Sequence, residues 1–295
     1  MTTVAVIASA SKELDGGLPE LRKLLADEGI AEPIWYEVGK SKEAPRFVRK
    51  AMKRGAELIF VWGGDGMVQR CADVVAGTDT PIAILPAGTA NLFATNMDIP
   101  VDLAMAVRIG LHGERRKLDL GVVNGEHFSV MAGVGFDALM IRDAGTGLKD
   151  KVGQLAYVWT GAKHLRETPM RVRIRVDGAN WFKGKASCVL VGNMGKVIGG
   201  LTVFDGSRPD DGRIEVGLVT AKGLVDWART AGRTAIGQPE TSPFVEMITG
   251  ERIDVQLKDP MVYELDGGER KATKRLKIEV EPAAITVCVP QAEAS

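Results

Sequence analysis

The stretch LIFVWGGDGMVQRCADVV, residues 58–75, joins a strand-like run to a helix-like run through a glycine-rich turn. Leu58 to Trp62 are apolar and β-prone, as in a strand covered on both faces. From Met67 onward the apolar residues follow helical spacing. The turn between the two runs consists of Gly63, Gly64, Asp65 and Gly66. Glycines let a ligand approach the backbone closely, and the start of a helix favours an anion. An ordinary strand–helix turn is the alternative.

A second turn of the same kind lies in ILPAGTANLFATNMDIP, residues 84–100. It also follows an apolar strand and precedes a helix, and it offers Gly88, the Thr89 hydroxyl and the Asn91 amide. Turns at the carboxyl ends of parallel strands face a common crevice, where open α/β sheets bind ligands. Neither turn has the P-loop or the dinucleotide fingerprint. The pair of turns, with an acid inside the first, therefore predicts a ligand-binding crevice of another kind.

The chain changes texture at about residue 120. Before that point strand and helix patterns alternate, which predicts a parallel sheet with helices on its faces. After it most segments are short strands, with predicted helices at KVGQLAYVWTGAKHLRE (151–167) and GLVDWARTAGRTA (223–235). We therefore predict an α/β domain over residues 1–122 and a mainly antiparallel β-sandwich domain over residues 123–282.

Composition excludes several classes of protein. The 38 basic and 38 acidic residues cancel, so no overall charge favours nucleic acid. Cys71, Cys188 and Cys288 are widely spaced in apolar surroundings, which indicates reduced thiols rather than disulfides or a zinc site. The N-terminus lacks a signal-peptide pattern, and no apolar run reaches the roughly 18 to 20 residues that a spanning helix needs. We therefore expect a cytoplasmic protein that contacts a membrane only at its surface.

A series of motifs, kept in order along the chain, resembles the diacylglycerol kinase catalytic family of bacterial lipid kinases, to which sphingosine and ceramide kinases also belong. The motifs are GGDG (63–66), LPAGTANLFA (85–94), LDLG (118–121), GVGFDA (133–138), PDDG (209–212) and YELDGGER (263–270). The resemblance implies an ATP-binding α/β domain of the NAD kinase and diacylglycerol kinase type, followed by a β-sandwich domain. It also implies a cleft between the domains, where a lipid hydroxyl meets the γ-phosphate. The final strand, about residues 283–295, is expected to return to the first domain.

The same resemblance implies roles for residues of the first domain. The loop Gly63–Gly66 would cradle the nucleotide phosphates, and Asp65 would hold Mg²⁺ or orient the attacking hydroxyl. In the second turn, Gly88, Thr89 and Asn91 would contact the nucleotide. Lys12 would reach the phosphates from the turn after the first strand. Asp119 of KLDLG would join Asp65 in a magnesium–water network.

Two further motifs carry implied roles in the second domain. In the family an Asp-Gly-Glu motif near the C-terminus supplies the catalytic base. Here Asp266 aligns with it, but an extra glycine displaces Glu269, so both carboxylates are candidates. The stretch SRPDDGRIEV, residues 207–216, resembles a structural magnesium loop formed by the Asp211 carboxylate and the carbonyls of Arg208 and Arg213. Carboxylate and carbonyl oxygens suit a hard cation.

The chain also departs from the family. The phosphate-contacting Asn-Pro-x-Ser-Gly turn is replaced by ASASKELDGG, residues 8–17. Met67 stands where a hydroxyl is usual, Val38 where threonine is common, and Leu92 where aspartate is frequent. These losses are compatible with a weaker or repurposed site, and they leave the expected fold unchanged.

Three hypotheses follow. The leading one is an ATP- and magnesium-dependent lipid kinase acting on a diacylglycerol-like, sphingoid or ceramide-like alcohol at the inner membrane face, with peripheral membrane contact and a dimer through the β domain. The second is a soluble-acceptor kinase of the NAD kinase type, although PAGTANLFA differs from the asparagine-rich motif of those kinases. The third is a catalytically impaired nucleotide- or lipid-binding module. Arg171, Arg173 and Arg175 alternate along a strand and form either a solvated face or one that attracts an anionic leaflet.

Overall fold

The computed structural model describes residues 2–135, 169–197, 202–221, 226, 230, 233 and 238–291. The chain forms two compact units: Met1–Asp119 with Ala283–Ser295 is the first unit, and Leu120–Pro282 is the second unit. The predicted helix over 151–167 lies outside the described residues. Of the helix predicted over 223–235, only Asp226, Thr230 and Arg233 are described, and all three are helical.

The first unit is built on a parallel sheet. Its strands lie in the order β2–β1–β3–β4, and Val287 of the last strand, β14 (Gly268–Val289), pairs in parallel with Ile82 of β4. Every residue of β1, β3 and β4 is buried, which explains why these segments read as continuous apolar runs. The bounds of these four strands are β1 Val4–Ser9, β2 Ile34–Val38, β3 Leu58–Gly63 and β4 Ile82–Pro86.

The described residues of this unit form five α-helices. Asp102 caps the last of them by accepting a hydrogen bond from the Met105 backbone N–H (2.8 Å). Gly110 lets that helix approach the sheet, because a Cβ there would lie 2.2 Å from the Phe60 ring. The helices are α1 Gly17–Asp27, α2 Ala44–Lys53, α3 Asp65–Val75, α4 Leu92–Asn96 and α5 Leu103–His112.

The second unit is antiparallel. The first half of its long strand β13 pairs with β8, and the last residues of β13 pair with β7. One set of strands therefore runs β12–β11–β10–β7–β13, and another runs β9–β8–β13. Buried side chains from both sets, such as Val189, Ile174 and Val255, form one apolar cluster. The bounds of the remaining strands are β5 Glu114–Val123, β6 Glu126–Phe128, β7 Met131–Val134, β8 Met170–Val176, β9 Ala179–Ala186, β10 Cys188–Gly192, β11 Ile214–Val219, β12 Val245–Gly250, β13 Arg252–Leu265 and β14 Gly268–Val289. Two of these strands, β5 and β14, have residues in both units.

The predicted fold class, a parallel α/β sheet followed by antiparallel β structure, is confirmed. The strand boundaries near the C-terminus differ from the sequence pattern, which predicts four short strands in ERIDVQLK (251–258), MVYELDGG (261–268), RLKIEVEP (275–282) and AITVCVP (284–290). That prediction is wrong, because these segments form two long strands, β13 and β14. Pro260 lies where the pairing register shifts between Gln256 and Met261, and a bulge tolerates a proline within a continuous strand.

Candidate functional site

The turn between β3 and α3 has two kinds of glycine. A Cβ on Gly63 would lie 2.6 Å from the Met67 Cβ, so internal packing requires a glycine at this position. A Cβ on Gly66, in the first turn of α3, would meet nothing within 4 Å. The space beside Gly66 is therefore open at a helix start, where an anion is favoured.

The two glycine-rich turns touch each other. A Cβ on Gly88 would lie 2.4 Å from the Gly64 Cα, and one on Gly64 would lie 3.0 Å from the Gly88 Cα. Because these atoms are backbone, neither position could shift aside for a side chain. The structure thus brings both sequence-predicted turns together in the first unit. Glycine at Gly64 and Gly88 is required by this backbone contact, whether or not a ligand binds there.

Asn91 shapes the second turn from within. Its Oδ1 accepts a hydrogen bond from the Gly88 N–H (2.8 Å), and its Nδ2 donates to the carbonyls of Pro86 (3.1 Å) and Gly88 (3.0 Å). The residue is buried and has the left-handed φ of 48° that asparagine tolerates. Thr89, by contrast, is exposed on the same turn, so its hydroxyl is accessible to a ligand.

Asp65 links α3 to α4. Its Oδ1 accepts a hydrogen bond from the Phe93 N–H (2.8 Å) in the first turn of α4. Burial raises the pKa of the Asp65 carboxyl, and backbone hydrogen bonds from Phe93, Leu92 and Asn91 oppose that rise. The carboxylate therefore lies at the start of two helices, where negative charge is stabilised.

Lys12 lies on the turn after β1. Its side chain is exposed, and its backbone carbonyl accepts a hydrogen bond from the Trp62 indole N–H (3.1 Å). Trp62 directly precedes Gly63, so this bond fixes the turn of Lys12 to the strand that carries the first glycine turn.

Asp119 fastens the returning C-terminal segment. It is buried, and its Oδ1 accepts a hydrogen bond from the Ala283 N–H (2.7 Å). Ala283 has a left-handed φ of 48°, which marks a local irregularity in β14. The sequence-based interpretation placed Asp119 near magnesium, and the described contact gives this carboxylate a structural partner as well.

Asp266 in the second unit is enclosed by donors. Its Oδ2 accepts from the N–H and hydroxyl of Ser129 (2.7 and 2.8 Å), and its Oδ1 accepts from the N–H groups of Val130 and Met131 (2.9 Å each). Burial raises the pKa of the Asp266 carboxyl, and these donors oppose the rise because they stabilise the ionised form. Asp266 and Gly267 both have positive φ, as in the two-residue turn that Asp-Gly favours between β13 and β14.

Sequence reasoning missed the partners of Asp266. Ser129 is fully buried, and its carbonyl accepts a hydrogen bond from Nδ2 of the equally buried Asn193 (3.1 Å). Polar residues within the apolar stretches HFSVM and VLVGNM were the available signal. Nothing local in the first stretch indicates that Ser129 bonds Asp266, 137 residues away, and nothing local in the second indicates that Asn193 bonds Ser129, 64 residues away.

Glu269, the other candidate base, is exposed at the start of β14. It pairs across the hairpin with Glu264, which is buried, with 4% of its surface exposed. Directly paired residues on antiparallel strands project to the same face. Two carboxylates therefore share one face beside the Asp266 turn, and Glu264 was not among the sequence-predicted residues.

The predicted magnesium loop has oxygen donors and a neighbouring cavity. Asp211 Oδ1 accepts a hydrogen bond from the Arg213 N–H (2.9 Å), and Arg208 forms an ion pair with Asp210 (3.4 Å). A cavity of about 680 Å³ beside the loop is lined by Asp205, Asp211, Arg213, Glu215 and Glu240, among others. Within the described ranges, no three His, Cys, Asp or Glu side chains are grouped as metal ligands. The loop thus suits a cation held mainly by carbonyl oxygens and water.

The three apolar departures from the family pattern are all buried. Met67 is 3% exposed, Val38 is 1% exposed and Leu92 is 7% exposed. These buried side chains belong to the core of the first unit, and none of the three offers a polar group to a ligand. None of the described helices is long and apolar enough to cross a bilayer.

Comparison with known proteins identifies both parts of the chain. Residues 6–123 match the family described as diacylglycerol kinase catalytic domain. Residues 129–289 match the family described as YegS C-terminal NAD kinase beta sandwich-like domain.

The chain is also similar to whole proteins and solved structures. A "Probable lipid kinase YegS-like" of Klebsiella pneumoniae (strain 342) is 29% identical over 279 residues, covering 92% of each chain. The "Probable lipid kinase YegS" of Escherichia coli (strain K12 / DH10B) is 28% identical over 281 residues, covering 92% of this chain and 91% of that protein. A putative diacylglycerol kinase from Bacillus anthracis superposes with a TM-score of 0.81 at 20% identity, covering 97% and 96% of the two chains. An NAD kinase from Archaeoglobus fulgidus, solved in complex with ATP, superposes with a TM-score of 0.53 at 11% identity, covering 98% of this chain and 93% of that chain. At these identities the structural likeness shows the fold alone.

Proposed function

The chain belongs to the lipid kinase family that joins a diacylglycerol kinase catalytic domain to a YegS C-terminal domain, and from this premise we propose that it transfers the γ-phosphate of ATP to the hydroxyl of a diacylglycerol-like lipid. A sphingoid or ceramide-like alcohol is the alternative lipid substrate. The lipid is met at a membrane surface, and Mg²⁺ assists the transfer.

The open space at Gly66 is the observation that carries this proposal. It lies at the N-terminus of α3, one residue after Asp65 and two residues after Gly64, which contacts Gly88. Phosphoryl transfer requires phosphates held by backbone N–H groups, together with nearby acids. A side chain at Gly66 would fill the space that such phosphates need, so the residues present fit a nucleotide.

The residues of the first unit would then have separate tasks. The turn Gly63–Gly66 holds the phosphates, the exposed Thr89 hydroxyl hydrogen-bonds the nucleotide, and Lys12 supplies positive charge. The Asn91 side chain acts indirectly, since its hydrogen bonds hold the second turn in the conformation that presents Thr89. The Asp65 oxygen that does not bond Phe93 orients the acceptor hydroxyl or faces a cation.

Mg²⁺, when bound, would neutralise charge on the phosphate oxygens. Asp65 and Asp119 are the carboxylates of the first unit that we assign to that environment. In the second unit, Asp211 with the carbonyls of Arg208 and Arg213 would hold a structural ion. The hard oxygen donors of that loop fit such an ion.

Of the two candidate bases, Glu269 is the better supported. Each oxygen of Asp266 already accepts two hydrogen bonds, so Asp266 would have to break them to take a proton. Glu269 is exposed and can approach a hydroxyl directly. In this proposal Glu269 takes the proton, a step typically worth about 10²–10⁴-fold, and Asp266 positions the strand end that carries Glu269.

The test is transfer of label from γ-labelled ATP into lipid. Defined diacylglycerol and a mixed lipid extract are presented in neutral detergent micelles with Mg²⁺, and the products are separated. We expect a labelled lipid from the native protein and a loss of at least about 100-fold in Asp65→Asn. The matched control is Asp79→Asn, which removes an exposed carboxylate four residues beyond the C-terminal end of α3 and should leave transfer unchanged.

Two outcomes would overturn the proposal. A labelled water-soluble product formed without lipid would indicate a soluble acceptor, as in NAD kinases. Tight ATP binding without transfer to any lipid would indicate a binding module. Full activity in Asp65→Asn would leave the lipid kinase in place and remove Asp65 from its chemistry.

A further inference from the structure

The outer face of strands β8 and β9 carries only basic charge. Along β8 the side chains alternate between buried apolar residues and exposed arginines, and β9 adds two lysines to the same face. Neither strand contains an acidic residue. The residues of this basic face are Arg171, Arg173, Arg175, Lys183 and Lys185. The protein has equal numbers of basic and acidic residues, so a face with basic side chains alone is a local concentration of positive charge.

The basic face places like charges directly opposite each other. Arg171 pairs across the strands with Lys185, and Arg173 pairs with Lys183. Directly opposed like charges destabilise an antiparallel pair. Among the described residues these four side chains form no ion pair, while nearby Asp254 already holds Arg275 through two hydrogen bonds of 2.6 and 2.9 Å. An external anion would therefore relieve repulsion that the free protein retains.

One end of the basic face opens into a cavity of mixed character. The cavity has a volume of about 400 Å³. Its apolar lining comes from Pro169, Met170, Leu257 and Met261, and its charged lining from Arg171, Lys185, Lys258 and Asp259. Apolar side chains beside lysine and arginine match a molecule with both a phosphate and a hydrocarbon part. A nucleic acid would use the charges but not the apolar wall.

We propose that the basic face of β8 and β9 docks the protein onto an anionic phospholipid bilayer, with the mixed cavity at its edge receiving part of a lipid. The choice of lipid over other polyanions rests on the proposed function. Anionic leaflets attract basic residues close to their surface, and this attraction weakens as salt screens the charges. The docked face would hold the second unit against the membrane that contains the substrate.

The test measures vesicle binding without nucleotide or substrate, so that it does not depend on kinase activity. Native protein is sedimented with phosphatidylcholine vesicles that contain or lack phosphatidylglycerol, at low and high salt. We expect binding only with phosphatidylglycerol, and weaker binding at high salt. The variant Arg173→Gln/Lys183→Gln should bind about 25-fold more weakly, at about fivefold for each charge removed.

The matched control is Arg49→Gln/Lys53→Gln, which removes two exposed charges from α2 in the first unit. It should bind vesicles as tightly as native protein. Equal loss in both variants would overturn the proposal, because it would reflect net charge rather than this face. Duplex DNA that displaces the vesicles and binds equally tightly would also overturn it, since the face would then be a general polyanion surface.

Kinase activity in neutral micelles separates this inference from the proposed function. We expect Arg173→Gln/Lys183→Gln to retain native transfer there, because no anionic surface is present. A native protein that binds phosphatidylglycerol vesicles through this face but transfers no phosphate would support the docking surface and overturn the kinase. Phosphate transfer in micelles by a native protein that does not bind the vesicles would support the kinase and overturn the docking surface.

Discussion

Gly64 and Gly88 meet backbone to backbone, so closely that a Cβ on Gly88 would lie 2.4 Å from the Gly64 Cα. The two turns were found in the sequence as separate glycine-bearing loops, each a candidate for ligand contact. Glycine is needed at Gly64 and Gly88 because the two backbones touch, whereas Gly66 faces open space. Substitutions can therefore separate the contact between the turns from the contact with a ligand.

Replacing Gly88 with alanine should separate the two turns. The added methyl group would meet the Gly64 backbone and the Asn91 Oδ1, 2.6 Å away, and neither can give way easily. We expect a loss of about 2–3 kcal/mol in the free energy of unfolding. Urea denaturation measures the loss, and calorimetry should show weakened ATP binding. An unchanged unfolding midpoint would contradict the backbone contact.

Replacing Gly66 with alanine should have opposite effects on stability and binding. A Cβ at this helical position meets nothing, so the variant should gain about 0.5 kcal/mol in stability. The same methyl group would occupy the space assigned to the phosphates, so ATP affinity should fall. Paired denaturation and ATP titrations measure both effects. Native ATP affinity in this variant would place the phosphates elsewhere.

The Asp65→Asn variant should reveal the cost of a buried carboxylate. Burial raises the pKa of Asp65 above its ordinary value of 3.8, so the folded protein binds this proton more tightly than the unfolded chain. Wild type should therefore lose stability relative to the variant as pH rises from below 3.8 through the raised folded value. Asparagine keeps an oxygen for the Phe93 N–H, so the turn is preserved.

Unfolding curves of both proteins from acid to neutral pH measure this difference. The two should coincide below pH 3.8 and diverge above it, with the variant equal to or more stable than wild type near neutrality. A variant that becomes progressively less stable than wild type over that range would show that the ionised Asp65 stabilises the fold.

Asp266→Asn should destabilise the second unit strongly. An amide offers one oxygen, and its NH₂ would face donors from the Ser129–Met131 segment. Leaving buried donors unmatched should cost about 2–4 kcal/mol. The chain offers a matched control in Asp177, which also precedes a glycine in a positive-φ turn and accepts two backbone hydrogen bonds, but is exposed.

Asp177→Asn should cost about 1 kcal/mol or less, because water can satisfy the groups it leaves. Guanidinium denaturation of both variants gives the comparison. Equal losses would mean that the turn itself, rather than the buried network around Ser129, determines the cost at Asp266.

The sequence supported the fold further than it supported the contacts of the site. Apolar runs such as Leu58–Trp62 predict buried parallel strands, and glycine turns predict where the strands end. Both predictions succeed because each signal lies within a short stretch of sequence. The contacts of Asp65 with Phe93 and of Asp266 with Ser129 span 28 and 137 residues. Such pairings depend on how strands are arranged in three dimensions, and no local spacing encodes them. The merging of four predicted strands into β13 and β14 escaped prediction because proline and charge usually end a strand, whereas a bulge accommodated them here.

The returning end of β14 has a consequence for how the protein is made. Val287 pairs with Ile82, and the Ala283 N–H bonds Asp119, so the first unit contains residues from both ends of the chain. Domains usually fold in order as the ribosome delivers them. Here the first unit cannot complete its sheet, and one side of β4 stays unpaired, until the segment from Ala283 to Val289 has been synthesised. The second unit lies between the two segments of the first unit, so its strands can pair before the first unit is complete. The unit whose synthesis begins first is therefore the one whose folding ends last.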